Sequence, residues 1–315
     1  MYTYQWYHWL SFFYIYCFFG WIFESTYVSL KTGHFVNRGF LRLPMLPLYG
    51  TGAVMMLWVS LPVRDNLVLV YISGVVAATV LEYVTGWSME RLFKMKYWDY
   101  SNQRFQINGY ICLTSSIAWG FLTILLTEVI HQPIAQAVLS FPSSLELPLL
   151  AVVSGFFFTD TIQSTKEALA LGKALEAMTR MKGELEEMQT QLALLKAQTA
   201  QRVEEIRGDA RHRVAEWKNS AAGLRQETLL KAAELKEEAA SLITQEAEEL
   251  EELPAVVAER VQALLRRKQE LLAARKKLSS HMSLYRKGIL KGNPSASSKR
   301  FGEALKELRD MLNIK

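Results

Sequence analysis

The first half of this 315-residue chain contains five long apolar runs, which constrain its fold more than any other feature. A bilayer core of about 30 Å is crossed by about 20 apolar residues in a helix. Because each run comes near that length, we predict an all-α fold: a five-helix transmembrane bundle within residues 1–163. Its helices are expected at about 9–30, 43–61, 67–87, 107–130 and 147–162.

Charge divides the chain into two parts. Only nine of the 36 Lys and Arg residues and eight of the 31 Asp and Glu residues occur up to position 166, which leaves 27 and 23 for the remainder. An apolar half followed by a charged half indicates lipid and then water as the surroundings. We therefore expect a cytoplasmic domain over 164–290, followed by a linker and a short amphipathic helix over 291–315.

The basic residues of the short loops predict the orientation in a bacterial cell membrane. Loops 31–42 and 88–106 carry three and four Lys or Arg residues, whereas the N-terminus and the segment 131–146 carry none and the 62–66 turn carries one. Basic loops remain on the cytoplasmic side. The alternation predicts a multi-pass protein with its N-terminus outside and its C-terminal domain in the cytoplasm.

Seven polar residues of the membrane half fall at the predicted cytoplasmic face. Ionisable groups in membrane helices are costly and often mark sites. Arg38 is the natural partner for the glutamates. The set therefore predicts a ligand, ion or proton site, buried pairs that lock helices together, or side chains that extend to the membrane interface. The residues are Glu24, Asn37, Arg38, Glu82, Glu90, Asp99 and Asn108.

Prolines and glycines shape the backbone around this cluster. The stretch NRGFLRLPMLPLYGTG at 37–52 is too apolar for a surface loop and too interrupted for a helix interior. Irregular backbone at membrane depth is tolerated where protein or a watery cavity satisfies it. We expect a loop that dips toward the bilayer before the second helix, and we assign backbone-shaping roles to Gly39, Pro44, Pro47, Gly50, Gly52 and Gly86.

Ordered motifs over roughly residues 10–125 resemble the bacterial membrane family called putative ABC-transporter type IV, or CmpB-like. The resemblance implies an integral, permease-like membrane protein. It does not extend to the cytoplasmic half, and Leu43 stands where the family usually has glycine. The motifs are FGWIFE at 19–24, NRGFL at 37–41, Pro44, Pro47, YGTG at 49–52, EYVTG at 82–86, Glu90, WDYS at 98–101, NGYICL at 108–113 and WG at 119–120.

The cytoplasmic half has a heptad pattern typical of a coiled coil. One position recurs at 171, 178, 185 and 192, the other at 181, 188 and 195, and Leu264, Leu271, Leu278 and Tyr285 follow at the same spacing. We expect a helix break near Pro254. Two arrangements remain open: a parallel coiled coil that forms a homo-oligomer, or an antiparallel hairpin within one chain.

The C-terminal segment and the basic runs have simple interpretations. Residues 291–299 (KGNPSASSK) read as a flexible linker, and the spacing of Phe301, Leu305, Leu308 and Leu312 predicts a short amphipathic helix. Basic runs such as 266–268 alternate with glutamates, which favours a solvated face or anionic lipid over nucleic acid. We expect no nucleic-acid partner.

Three functions fit these patterns. The first is a permease-like or ligand-binding membrane module whose coiled coil serves oligomerisation or coupling to a partner, such as a separate ATPase or an envelope protein. The second is a scaffold that anchors a coiled coil, and the third an enzyme acting on a lipid or isoprenoid-phosphate headgroup. No catalytic triad, metal spacing, nucleotide glycine signature or phosphate-binding G-x-x-x-x-G-K-[S/T] loop occurs in the sequence. We therefore favour the first function and expect no cofactor and no metal.

Overall fold

The computed structural model describes the backbone of residues 4–223 and 229–314, and the side chains of these residues except 217, 220–223 and 229–254. Over these described residues the fold is all-α apart from one two-stranded hairpin. The chain forms two compact units. One combines Met1–Thr179 with Leu278–Lys315, and the other is Arg180–Lys277.

The first unit is built from apolar helices. The described residues contain three that are long and apolar enough to cross a membrane, Leu67–Phe93, Leu113–Leu139 and Ser143–Glu216, besides the 27-residue helix Trp6–Thr32 and the shorter Pro47–Val63. Val76, Val80 and Val84 are each more than half exposed and form one stripe of Leu67–Phe93, as expected of a lipid-facing surface. The helices are α1 (Trp6–Thr32), α2 (Pro47–Ser60), α3 (Leu67–Phe93), α4 (Leu113–Leu125), α5 (His131–Leu139) and α6 (Ser143–Gly223), with a π-helical segment at Leu126–Ile130.

Local sequence explains where these helices begin and end. Pro47 occupies the first turn of α2, where its missing N–H is not needed. The side chain of Asn66 caps α3 by accepting hydrogen bonds from Val68 N and Leu69 N at 3.0 and 3.3 Å. Gly33 closes α1 in the left-handed conformation (φ 74°), where a side chain would be strained.

The fourth helix was expected at about 107–130, which would place Asn108 at its start, and this prediction is wrong. Strands β1 (Gln106–Ile107) and β2 (Ile111–Cys112) pair antiparallel, and α4 begins only at Leu113. Asn108 and Gly109 have positive φ angles of 53° and 72° in the turn between the strands. Asn and Gly adopt such angles most readily, so this Asn-Gly pair favours a hairpin turn over a helix start.

The C-terminal residues are packed against the membrane helices of the first unit. Helices α8 (Leu284–Gly292) and α9 (Gly302–Met311) bury Leu290 and Leu308 completely in a core cluster with Met95 and Leu171. Residues 291–299, expected to be a flexible linker, include the buried Asn293 and Ala296. Ser297 also forms an antiparallel bridge with Lys96. This stretch is therefore part of the packed unit.

The second unit contains the predicted heptad residues of two helices. Leu185, Met188 and Leu271 are buried together, and Arg267 Nη2 lies 3.5 Å from Glu184 Oε2. Glu184 lies 39 residues before the end of α6 at Gly223, and Arg267 lies 38 residues after the start of α7 (Leu229–Ser280) at Leu229. The two residues thus lie almost equally far along α6 and α7 from Gly223 and Leu229, as expected of an antiparallel helix pair within one chain.

The expected helix break near Pro254 does not occur, because α7 continues through that residue from Leu229 to Ser280. A proline inside a helix removes one hydrogen bond and costs about 3 kcal/mol. Because α7 has 52 residues, its backbone hydrogen bonds before and after Pro254 are enough to continue the helix through the proline.

Candidate functional site

Arg38 lies where the loop after α1 meets the C-terminal segment. Its Nε is 3.6 Å from Glu24 Oε2, and only 12% of its side chain is exposed. Nη1 donates to Gly292 O at 3.3 Å and to the side chain of Asn293, and Nη2 donates to Tyr97 O at 3.2 Å. The guanidinium therefore joins α1, the loop after α3 and the C-terminal segment.

Glu24 is the carboxylate that α1 contributes to this site. Its other oxygen accepts a hydrogen bond from Tyr49 OH on α2 at 2.7 Å, and its side chain is 27% exposed. The sequence-based pairing of Arg38 with Glu24 thus corresponds to a contact. At 3.6 Å the contact between this guanidinium and this carboxylate is an ion pair without a hydrogen bond.

Glu82 does not contact Arg38, contrary to one of the expected pairings. This residue is 4% exposed on α3, and its oxygens accept hydrogen bonds from Tyr100 OH at 3.1 Å and Trp119 Nε1 at 3.0 Å, with Ser115 Oγ at 3.4 Å. Burial raises the pKa of Tyr100 above its ordinary value, and the neighbouring Glu82 adds to the shift. Uncharged donors therefore hold this carboxylate in place.

Glu90 also pairs with a tyrosine rather than with Arg38. Tyr110 OH donates to Glu90 Oε2 at 2.5 Å. Burial and then this hydrogen bond raise the pKa of Tyr110 to about 12. Gly86 lies between the two glutamates on α3, and a Cβ there would approach Tyr110 and Trp98 to 3.1–3.2 Å. Asn108 donates to Tyr83 OH at 3.2 Å, so the hairpin turn is fixed to α3.

Asp99 links the loop after α3 to the C-terminal segment. Its oxygens accept hydrogen bonds from Ser101 Oγ at 2.5 Å and Ser297 Oγ at 2.7 Å, and Lys96 Nζ lies 3.7 Å away. Burial tends to raise the pKa of Asp99, but these hydrogen bonds and the Lys96 ammonium outweigh it, so the pKa lies below its usual value. Asp99 therefore acts as an anion that helps to dock residue 297.

Asn37 precedes Arg38 but is oriented differently. It accepts a hydrogen bond from Trp21 Nε1 at 2.6 Å and donates to Arg42 O at 3.2 Å. Its side chain therefore closes the loop upon α1 instead of joining the partners of Arg38.

The expected backbone-shaping residues differ in what they do. A Cβ on Gly50 would lie 2.3 Å from Cys17 Sγ and 2.6 Å from Phe13 O, so α1 and α2 approach each other closely there. A Cβ on Gly52 would meet nothing nearer than 3.7 Å. Gly39 has a φ of 141°, which favours glycine. Pro44 lies in the irregular loop before α2.

Two residues that organise this region were missed by the sequence analysis. Asp160 of α6 is 8% exposed, and its Oδ2 accepts hydrogen bonds from Arg42 N and Leu43 N, both at 2.9 Å. Its Oδ1 accepts one from Tyr285 OH at 2.6 Å. Asn293, 1% exposed, sits within the expected linker. The position of Asp160 at the end of an apolar run could have indicated its role from the sequence. No sequence feature indicated the role of Asn293.

The described residues contain no group of three or more His, Cys, Asp or Glu side chains placed to hold a metal ion. Cys17 and Cys112 are free and buried. The chemistry available around Arg38 is recognition of an anion, because a guanidinium presents a planar fork that matches carboxylate or phosphate. In this conformation neutral oxygens of the C-terminal segment accept hydrogen bonds from one side of the guanidinium.

Comparison with known proteins gives one match. Residues 11–165 match the family model described as "Putative ABC-transporter type IV". The match runs from α1 into α6, about 40 residues beyond the expected end of the resemblance near residue 125. No curated protein and no solved structure matches the chain. Residues 11–165, which include the surroundings of Arg38 on the membrane helices, are therefore similar to the family described as "Putative ABC-transporter type IV".

Proposed function

We propose that this protein is a permease-like or ligand-binding membrane module whose anion-recognising site, centred on Arg38, is covered by its own C-terminal segment. In this proposal five helices cross the bilayer, the N-terminus lies outside, and the site faces the cytoplasm. The basic loops of the sequence support the orientation, and the family match supports the membrane role.

One observation carries the proposal: Arg38 shares its donors between the membrane helices and the C-terminal segment. Glu24 approaches Nε, whereas Gly292 and Asn293 accept from Nη1. A hydrogen bond to a charged group is worth about 1.5–3 kcal/mol. An anionic ligand could replace the neutral C-terminal acceptors, because its charge would strengthen the same contacts.

The helical hairpin, which is the antiparallel helix pair of residues 180–277, is then expected to regulate the site at Arg38. Residues 180–277 comprise the end of α6 and most of α7, and α8, which follows α7, carries Gly292 at its end. A partner that binds the hairpin would thereby act on the segment that covers Arg38. The packing of Leu185 and Met188 with Leu271 inside one chain favours a hairpin over a parallel homo-oligomer along that stretch. A separate ATPase or an envelope protein is the expected class of partner.

The proposal is tested by replacing Arg38 in the full-length protein and measuring complementation of a strain that lacks the gene. Arg38→Ala should reach the membrane at the normal level and fail to complement. Arg38→Lys should complement only partly, because an ammonium lacks the planar fork. Arg104→Ala, which alters an exposed arginine in the loop after α3, is the matched control and should complement fully. Full complementation by Arg38→Ala would refute the site.

A scaffold function remains the second candidate, since the hairpin alone could recruit a partner. Replacing 180–277 by a short Gly-Ser linker separates the two functions. Met178 and Leu278 pack on the same core cluster, so a short connection can join the remaining ends. If the shortened protein supports ligand-dependent growth only when Arg38 is intact, the module function is favoured. If it has lost every function and Arg38→Ala has lost none, the scaffold is favoured.

A further inference from the structure

A buried polar cluster lies at the other end of the helices from Arg38, where α1 begins and α6 begins. Glu146, in the first turn of α6, is 4% exposed. Ser11 Oγ donates to its Oε1 at 2.5 Å, and His8 Nε2 lies 3.9 Å from its Oε2. No described residue donates a hydrogen bond to this second oxygen. One side of a buried carboxylate is therefore left without a donor.

Glu146 is also one of the residues that line a cavity between α1, α5 and α6. The cavity has a volume of about 480 Å³, within the usual range for small-molecule sites. Ser11 and Glu146 lie among walls that are otherwise largely aliphatic and aromatic, including Ile15, Phe18 and Val153. From Ser11 to Phe19 the cavity follows nine residues of α1, about 12 Å of helix. It has the form of an apolar groove with an acidic end.

The charge and the walls together select the ligand. A buried carboxylate oxygen without a donor is costly, and a charged donor compensates that cost best. An anionic headgroup would be repelled by Glu146, and a quaternary ammonium has no N–H to donate. A primary ammonium satisfies both conditions, and the apolar walls suit a hydrocarbon chain.

We propose that this groove binds an aminolipid, with its primary ammonium on Glu146 and one acyl chain along Ile15, Phe18 and Val153. The site is separate from Arg38, and the proposal does not depend on the function proposed for Arg38. The lipid would enter sideways from the bilayer, because the apolar walls of Phe18 and Leu149 are 42% and 55% exposed at the surface of the helices.

The test is native mass spectrometry of the full-length protein in detergent, titrated separately with phosphatidylethanolamine and phosphatidylcholine of identical chains. The wild type should bind the primary amine about tenfold more tightly or better, as one charge-assisted hydrogen bond implies. Glu146→Gln should abolish the preference. Glu128→Gln is the matched control, since Glu128 also has a buried oxygen without a donor but does not line the groove.

Two further measurements, one on a second variant and one by competition, test the site even if Glu146→Gln fails to fold. Val153→Trp retains Glu146 and fills the groove, so it should lower the binding of both lipids; unchanged binding would overturn the proposal. Dodecylamine should compete with the aminolipid in the wild type. Equal binding of the two lipids, or a preference that survives in Glu146→Gln, would refute the ammonium site. Binding of dodecylamine without binding of the aminolipid would refute a lipid ligand.

Discussion

Asn293→Ala removes the residue that fastens the C-terminal segment to Arg38. The Asn293 side chain accepts from Arg38, and its Nδ2 donates to Gly39 O at 3.1 Å and Ile289 O at 2.8 Å. The bond to the guanidinium is worth about 1.5–3 kcal/mol and each neutral bond about 0.5–1.5 kcal/mol. Some of this is recovered by water, so we expect the local docking of the segment to weaken by about 3 kcal/mol.

The assay is amide hydrogen exchange of the full-length protein in nanodiscs. The amides of Ala296 and Ser297 bond to Asn293 O and Lys96 O at 3.0 Å each, so they exchange when the segment opens. A loss of about 3 kcal/mol predicts exchange about 100-fold faster, because each 1.4 kcal/mol is tenfold. Asn102→Ala, in the exposed loop after α3, is the matched control and should leave the rate unchanged.

The proposed role of Asn293 is refuted if exchange at these two amides in Asn293→Ala stays within threefold of the wild type while Arg38 is intact. That result would mean that the core contacts of Leu290 and Leu308, each fully buried, hold the segment in place without Asn293. An equally large acceleration in α2 would also contradict the account, because it would indicate general unfolding instead of local release.

Three further perturbations test the geometry around this site. Gly50→Ala should lower the thermal midpoint by the equivalent of about 1–3 kcal/mol through overpacking, whereas Gly52→Ala, with room for a methyl group, should be neutral; equal midpoints would contradict the close approach of α1 and α2. Asp160→Asn, which keeps only one acceptor oxygen, should speed exchange at the amide of residue 43 by about tenfold or more, and an unchanged rate would remove Asp160 as the anchor of the loop. The pKa of Asp99 is lowered in the folded protein. The stabilisation that the Asp99 carboxylate gives to the docked C-terminal segment is therefore present above the ordinary pKa of about 4, and it is lost as the pH falls through the lower folded value. Exchange at residue 297 should therefore accelerate below about pH 4 in the wild type, and Asp99→Asn should be fast already at pH 7; a wild-type rate in Asp99→Asn would refute the role of this anion.

The membrane half of the fold was predictable because hydrophobic length is a local property of the sequence. The expected helices 9–30 and 67–87 correspond to Trp6–Thr32 and Leu67–Phe93. The contact of Arg38 with Glu24 could be anticipated from the cost of isolated charges in a membrane. The number of crossings and the orientation remain proposals.

Other parts of the site were not predictable, because they depend on contacts distant in the sequence. The partners of Glu82 are neutral donors in the loop after α3 and on α4, which a search for opposite charges overlooks. Asn293 lies among Gly, Pro and Ser, a composition typical of linkers. The chain returns 254 and 255 residues after Arg38 to place Gly292 and Asn293 beside it, a closure that no local pattern encodes.

The hairpin at Asn108 is a different case, since its signal was present in the sequence. Asn-Gly favours a tight turn with positive φ, but the apolar residues that follow suggested a longer helix. The hairpin begins before the helix and fixes Trp98 and Tyr110 beside Gly86, where Trp98 Nε1 donates to Tyr110 O at 2.9 Å.

The central claim, that the C-terminal segment covers Arg38 and must be released for function, is tested most directly by a reversible crosslink. Lys96 and Ser297 face each other in an antiparallel bridge, with N–O distances of 2.7 and 3.0 Å in the two directions. Hydrogen-bonded partners of this kind have Cα atoms about 5.5 Å apart, within the range of a disulfide.

The variant Lys96→Cys/Ser297→Cys, with Cys17 and Cys112 replaced by alanine, should form the crosslink on oxidation. We predict that the oxidised protein fails to complement the deletion strain and that reduction restores growth. The single variant Ser297→Cys in the same background should be insensitive to oxidant. Full complementation by the crosslinked protein would show that the segment need not leave Arg38, and would contradict the account.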